Sequence, residues 1–528
     1  MSQLSFKDFH FSPLYLLMFL FTASIFVRLL FFPENLPLLD DAVGFYWYAI
    51  DLITLDFSQY SNSYVLSDFP NNGWPLFLSL FFQIFESNNY LDYVNLQRIL
   101  GVILSSLSIF PMFYLSKKFF DIKTSIITSS MFVFAPRIVE SSLFGTSEPL
   151  FLFLGISSLS LFISDNRKNL FLSFALIALF TSVRYEGILL LIPFTIIYFY
   201  KNKKTFQNIK KYFILIGICF LILIPFLYLR MELTDQDGVF SHVISGPLYY
   251  QTTIAAEPEI GLEHFLQKGI LNLSKYVGLI LIPIFFIFIP YGIFKFFKNR
   301  DISSWTLVVF FIIYLIPGFY AYSRGFQDVK YLFVLYPILL IISGYTIQRI
   351  IQQNKFQNYI FYGLLISFIF LSIIFTSIMI VDFNHEKELF EIIKDITNLG
   401  ITSANRDFDG LMYLRWTDQS FINQNFPIST YDYGIKAKDN FDVIRIGKGS
   451  EFLFKNFDDY IEFGIKNGMQ YLLLDGSNFD TNFLIEVFKN EHDYPYLKKI
   501  YDSKELGYSH HVKVFEIDIE YYTNLKNI

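Results

Sequence analysis

The stretch Leu38-Leu39-Asp40-Asp41-Ala42 sets two adjacent carboxylates in apolar chain, shortly after an apolar run that ends at Phe32. A carboxylate in that setting is a candidate general base, able to take a proton from an incoming nucleophile. The plain alternative is that the two acids only enforce topology. Further along, the segment Pro136 to Pro149 carries Arg137, Glu140 and Glu148. Glu148 opens an apolar run, where an unpartnered charge costs on the order of a few kcal/mol. A helix N-terminus offsets at most about 1 kcal/mol of that. Glu148 therefore reads either as a cap or, together with Glu140, as a group that meets an acceptor or a metal ion. In Thr181-Ser182-Val183-Arg184-Tyr185-Glu186-Gly187 and in Tyr322 to Lys330, the cations Arg184, Arg324 and Lys330 stand at the edges of apolar runs. Guanidinium and ammonium groups so placed suit a lipid phosphate, the alternative being ion pairs with Glu186 or Asp328. Arg98 and Arg137 are of the same kind.

These residues must be held by membrane helices. Runs of roughly 17–25 apolar residues mark spans, and the chain offers eleven: 13–32, 96–116, 124–139, 147–164, 169–184, 187–200, 211–230, 272–294, 304–322, 329–349 and 357–382. The first stays apolar past Ala23-Ser24, so it reads as an uncleaved anchor rather than a signal peptide. Alternate loops collect the basic residues, among them Lys117, Lys118, Arg167, Lys168, Lys201, Lys210, Lys295, Arg300 and Lys355. The stretch from Pro33 to Asn95 holds eight acids and no Lys or Arg. The positive-inside rule then puts the N-terminus in the cytoplasm and the C-terminus outside. The expected fold is a polytopic α-helical membrane protein of about eleven spans over residues 1–384, followed by an extracytoplasmic α/β domain over 385–528. Two long outer loops, 33–95 and 231–268, lie on the side of that domain. Asp41 to Ile53 reads as an aromatic amphipathic helix suited to the membrane interface, and Trp74 to Phe85 as a re-entrant or interfacial helix.

In the last domain, Glu386 to Leu399, Asp458 to Ile465 and Phe483 to Phe488 read as helices. Asp442 to Ile446, Tyr471 to Leu474 and Val512 to Ile517 read as strands. Asp51, Asp56 and Asp92 read as solvated loop acids. His242, His264 and His385 lack metal-ligand spacing, and His510-His511 reads as exposed. The sequon Asn272-Leu273-Ser274 falls at a span start, where modification is doubtful.

Composition narrows the function classes. Of 528 residues, 53% are hydrophobic and 17% charged, with a mean hydropathy of +0.42, against about 25% charged in soluble domains. A net charge of −6, with no basic and aromatic patch on a soluble segment, argues against nucleic acid as a partner. The single cysteine, Cys219, supports neither a disulfide framework nor a thiolate metal site. No glycine-rich loop opens a helix of the last domain, so a nucleotide has no motif behind it.

Taken in order, the motifs resemble the C-type superfamily of integral membrane glycosyltransferases, especially the branch of protein O-mannosyltransferases and the lipid A aminoarabinose transferase. Asp40-Asp41-Ala42 with Tyr46-Trp47-Tyr48-Ala49 is similar to the family's acidic first-loop motif, and Asn72-Gly73-Trp74-Pro75-Leu76 to the helix that follows it. Leu96-Gln97-Arg98-Ile99 through Lys117-Lys118-Phe119-Phe120 is similar to its second span. Thr181 to Gly187 and Lys330-Tyr331-Leu332 through Pro337 are similar to its later landmarks.

The resemblance implies transfer of a sugar from a polyprenyl (dolichyl) phosphate donor at the outer face, with inversion at the anomeric carbon. It makes Asp41, or Asp40, the base, and gives the leaving phosphate to Arg184, Arg324 and Lys330. The family often has Asp-Glu in place of Asp40-Asp41 and Arg in place of Lys330, so which carboxylate is the base stays open. The implied acceptor is a protein, a lipid-linked glycan or a glycolipid. No cofactor is required by any motif, although Asp40, Asp41 and Glu148 could share a divalent metal. Two other readings stand beside this one. One is an oligosaccharyltransferase-like catalytic subunit, whose Trp-Trp-Asp motif is only partly echoed by Thr430-Tyr431-Asp432-Tyr433-Gly434. The other is a transporter or flippase of lipid-linked sugars, which would favour ionisable groups in mid-membrane.

Overall fold

The structure, a computed structural model, describes residues 12–39, 41–54, 71–85, 87, 89–164, 166–202, 205–234, 237–239, 262–282, 285–298, 301–399, 456–466, 469–476 and 482–526. Asp40, Asp56, His242, the expected strand 442–446 and the 430–434 motif lie outside them. The chain divides into two compact units. One comprises Met1–Pro33, Leu38–Ser87 and Asp92–Ile380; the other comprises Glu34–Pro37, Asn88–Leu91 and Val381–Ile528.

The described residues of the first unit are helices joined by turns and loops. Its helices are α1 (Pro13–Leu29), α2 (Asp41–Thr54), α3 (Gly73–Phe82), α4 (Tyr90–Leu107), α5 (Ile109–Ser116), α6 (Ile122–Val133), α7 (Pro136–Ser141), α8 (Glu148–Ile163), α9 (Arg167–Val183), α10 (Leu191–Lys201), α11 (Phe206–Thr234), α12 (Leu262–Leu281), α13 (Ile289–Lys298), α14 (Ile302–Ser323), α15 (Tyr336–Gln352) and α16 (Gln357–Met379), with 3-10 turns at Tyr185–Leu190 and Val329–Leu335. Among the described residues, five stretches are long and apolar enough to cross a membrane: Tyr90–Ser116, Phe206–Glu232, Ile302–Ser323, Val329–Gln352 and Gln357–Met379. Pro13–Leu29, Gly73–Phe82, Ile122–Val133 and Glu148–Ile163 are shorter apolar helices. The expected continuous span 272–294 is interrupted instead, since α12 stops at Leu281 and α13 starts at Ile289.

Burial follows helical spacing on the lipid-suited helices. In α16, Phe361, Leu365, Phe368, Ser372 and Thr376 form a buried stripe, while Tyr359, Ile366, Phe370, Ile374 and Ile378 are exposed apolar side chains. An apolar exposed face on a helix of that length is what a bilayer solvates. Helix α6 is the opposite case and is buried from Thr124 to Val133. Its hydroxyls satisfy themselves on the preceding turn, with Thr128 Oγ1 donating to the Thr124 carbonyl at 2.7 Å and Ser129 Oγ to that of Ser125 at 2.6 Å. Small hydroxyl side chains that turn back on their own helix let α5, α15 and α16 pack closely against α6.

Two expectations fail for α2. Phe45, Tyr46, Trp47 and Tyr48 are all buried, so the helix packs its aromatic residues against protein and does not offer them to lipid. Asp51 is fully buried, not solvated. The cause is α3, which packs along α2; Tyr46 meets Phe82 at a ring distance of 5.7 Å, and the Tyr48 hydroxyl donates to Asn72 Oδ1 at 2.9 Å. Asn72 in turn donates to the Phe226 carbonyl at 3.0 Å.

The second unit contains α17 (Asn384–Asn398), α18 (Phe457–Lys466), β1 (Tyr471–Asp475), α19 (Asn482–Lys489), β2 (Leu497–Asp502), β3 (Val512–Ile517) and α20 (Ile519–Lys526). Its sheet is antiparallel in the order β1-β3-β2, with Leu473 opposite Val514 and Leu497 opposite Ile517. This corrects the α/β expectation. The strand–helix–strand pattern was legible, but β2 was not, and β2 makes β3 the central strand. Lys498 and Lys499 interrupt the apolar alternation by which a strand is recognised. Lys499 is instead spent on Glu491 and Asp502, each at 3.2 Å. Lys513 reaches the same Glu491 at 2.7 Å. Burial alone would raise the Glu491 pKa, but hydrogen bonds from Lys513 and Lys499 outweigh it and hold the carboxyl below its ordinary range. His510 is buried rather than exposed and meets the His385 ring at 4.7 Å.

Candidate active site

Arg184 sits where α9 ends. Its backbone leaves the helix in an extended conformation (φ −147°, ψ 133°) before the 3-10 turn Tyr185–Leu190. Arg184 Nε donates to Glu186 Oε1, in the first turn of that 3-10 segment, at 2.6 Å. The same guanidinium donates through Nη1 to Glu148 Oε1 at 3.0 Å and lies 5.5 Å from the Phe151 ring. Glu148 is therefore not a helix cap. It opens α8 and turns to Arg184, with its side chain only 6% exposed. Its other oxygen, Oε2, is buried without a hydrogen-bond partner among the described residues.

Gly187 closes the turn. A Cβ there would stand 2.6 Å from the Thr181 backbone nitrogen, and helix backbone cannot move aside cheaply. Gly187→Ala is expected to cost about 1–3 kcal/mol, read as a lower thermal midpoint of the detergent-solubilised protein. An unchanged midpoint would show that the turn is not so tightly held.

Lys330 begins the other half. Asp328 Oδ1 accepts from the Lys330 amide at 2.9 Å and starts the 3-10 turn Val329–Leu335. The Lys330 ammonium donates to Asp41 Oδ2 at 3.0 Å and stands 3.7 Å from Asp328 Oδ2. Asp41, the first residue of α2, is 62% exposed, so its carboxylate stays accessible beside the cation. Glu148 lies within electrostatic reach of Lys330, and Tyr331 within reach of Lys330, Arg184 and Asp41. Glu148, Arg184, Glu186, Lys330 and Tyr331, with Phe151, Tyr314, Pro317, Phe333 and Val334, line one pocket of about 360 Å³, its open mouth included.

Donor counts show what the pocket can still bind. A guanidinium has five N–H donors and an ammonium three. Arg184 gives Nε and Nη1 to carboxylates, and Nη2 has no acceptor among the described residues. Among the described residues, Lys330 gives one hydrogen bond, to Asp41. Donors from two cations are thus left for an anionic oxygen cluster. A metal ion fits less well, because Asp41 and Glu148 each face a cation. Among the described residues, no group of three or more His, Cys, Asp or Glu side chains is gathered to hold one.

Not all the sequence candidates meet here. Glu140 pairs with Arg137 at 3.1 Å and does not line the pocket. Burial, only partly offset by Arg137, raises its pKa. Arg324 is exposed, lies over the Tyr320 and Phe326 rings at 5.7 and 5.3 Å, and does not line the pocket either.

Residues 73–229 match the family model described as dolichyl-phosphate-mannose-protein mannosyltransferase. No curated protein sequence matches the chain. Among solved structures, the chain is similar to ArnT from Cupriavidus metallidurans bound to undecaprenyl phosphate, with a TM-score of 0.54 at 10% identity over 95% of this chain and 97% of that one. It is also similar to the Archaeoglobus fulgidus oligosaccharyltransferase in complex with Zn and sulfate, with a TM-score of 0.53 at 12% identity over 87% of this chain and 68% of that one. The chain shares its fold with these two proteins. A further structure with it is AglB from A. fulgidus in complex with an inhibitory peptide and a dolichol-phosphate, with a TM-score of 0.51 at 11% identity over 88% of this chain and 69% of that one.

The segment matched by the family model includes Glu148 and Arg184, while Asp41 and Lys330 lie beyond its ends. Sequence reasoning missed Arg28, which is fully buried in α1. It donates to Ser142 Oγ at 3.0 Å, to the Ser24 carbonyl at 3.1 Å and to Ser105 Oγ at 2.8 Å. The signal was present, since a guanidinium inside an apolar run always needs a reason. Here the reason is cross-linking: neutral oxygens of α1, α4 and the turn after α7 share one cation.

Proposed function

We propose that the protein is a membrane glycosyltransferase that moves a sugar from a polyprenyl-phosphate donor to an acceptor at the extracytoplasmic face, with inversion. The observation that supports this reading is the convergence of Arg184 and Lys330, each with donors to spare, on one pocket beside an accessible Asp41. The acceptor oxygen or nitrogen attacks the anomeric carbon, and the bond from that carbon to the phosphate oxygen breaks. The acceptor proton passes to the Asp41 carboxylate, and the electron pair leaves with the polyprenyl phosphate. The transition state has oxocarbenium character, which a neighbouring carboxylate favours. The leaving phosphate gains charge where cations are already positioned. Orientation follows from the charge of the loops, which puts the pocket and the second unit outside.

Purified protein should bind undecaprenyl phosphate and release label from radiolabelled polyprenyl-phosphate sugars to an acceptor fraction. Flux of the lipid-linked sugar across proteoliposomes with no transfer would replace the enzyme reading with that of a flippase.

A further inference from the structure

We infer that Gln97 is a positioning residue that couples the two carboxylates of this site through one amide group; the inference rests on the reading of the pocket given above. Gln97 is on α4, fully buried, and is neither in the pocket nor charged. Its Nε2 donates to the Ala42 carbonyl at 3.0 Å and to the Gly145 carbonyl at 2.8 Å. A primary amide nitrogen has two hydrogens, so each hydrogen has its own acceptor. One acceptor belongs to the residue next to Asp41. The other lies three residues before Glu148.

The second contact is built for this use. Gly145 has φ +74°, a left-handed conformation that favours glycine. A Cβ on Gly145 would come within 3.0 Å of Gln97 Cγ. The Gly145 carbonyl also accepts from Trp74 Nε1 at 3.1 Å, which leaves it with two donors. The turn is held from behind as well, through the hydrogen bond from Arg28 to Ser142. Gln97 Oε1 is buried with no hydrogen-bond partner among the described residues. Leaving that oxygen unsatisfied costs free energy, so an apolar residue would be favoured here if packing were all that mattered. What only the amide supplies is a fixed distance between the start of α2 and the turn before α8. Asp41 reaches Lys330 from one of these, and Glu148 reaches Arg184 from the other.

Gln97→Met keeps the length of the side chain and removes both donors. In the full-length protein, hydrogen exchange read by mass spectrometry should then quicken on the order of tenfold in peptides covering 41–48 and 142–148 together. Acceleration in one of the two segments alone, or in neither, overturns the coupling. For turnover of a radiolabelled polyprenyl-phosphate sugar, kcat should fall on the order of a hundredfold with KM within about twofold. In an Asp41→Asn background, Gln97→Met should add less than about a twofold further loss, because both changes act on the same step. Multiplying losses would mark Gln97 as merely structural. If Gln97→Met does not accumulate, Gln97→Asn, one methylene shorter, carries the same measurements. A wild-type protein that neither binds undecaprenyl phosphate nor transfers label would overturn the glycosyltransferase reading, whereas the exchange result decides the coupling on its own.

Discussion

Arg184→Gln should eliminate measurable binding of undecaprenyl phosphate and lower the stability of the protein in the same stroke. The guanidinium holds Glu148 at 3.0 Å and Glu186 at 2.6 Å, and the Glu148 side chain is 6% exposed. Removing the shared cation leaves two neighbouring carboxylates, one of them buried, without their hydrogen-bonded counter-charge. Breaking a buried pair from one side typically costs about 3–5 kcal/mol. The same deletion takes away the Nη2 donor and half of the positive charge facing the pocket. Arg184→Lys separates the two effects. An ammonium restores the charge and should recover most of the stability, but it cannot span both carboxylates and a phosphate with a planar fork. Its affinity for lipid phosphate should therefore stay about tenfold below wild type, a loss of one good charge-assisted contact. Thermal midpoints and equilibrium binding in the same detergent check both. Wild-type affinity in Arg184→Gln would remove the residue from the phosphate site.

Asp41→Asn should behave in the opposite way. The carboxylate is 62% exposed and paired with Lys330 at 3.0 Å, an arrangement worth little to stability. The thermal midpoint should hardly move. Turnover should fall by about a hundred- to ten-thousandfold, the usual contribution of a positioned base. Binding of undecaprenyl phosphate should hold or tighten by up to about fivefold, since an anion then meets Lys330 without a competing acid. Opposite movement of turnover and affinity is what distinguishes a base from a phosphate-site residue. If both fall together, Asp41 serves the donor site, and the base must be sought in Asp40 or in a carboxylate of the pocket.

Much of this protein can be seen along the chain. Apolar runs marked α11, α14, α15 and α16 to within several residues, because a bilayer demands a minimum length whatever the neighbours are. The rim charges were visible for a related reason: Glu148, Arg184 and Lys330 stand where a bilayer taxes ionised groups, so each advertised a partner. Tyr471 to Leu474 and Val512 to Ile517 showed as strands through local apolar pattern, and β2 did not, because its lysines serve long-range ion pairs.

What tertiary structure alone decided is who those partners are. Asp41 and Lys330 are 289 residues apart and share a hydrogen bond. Glu148 finds Arg184 across 36 residues, and Arg324, similar to Arg184 by every local criterion, does not line the pocket. Aromatic α2 was set for the interface by composition and is buried by α3. Sequence determines which residues need neutralising or shielding, since that is a property of the residue and its near environment. Which group does it depends on the packing of helices distant in the chain, as when the buried amide of Gln97 bridges the start of α2 and the turn before α8.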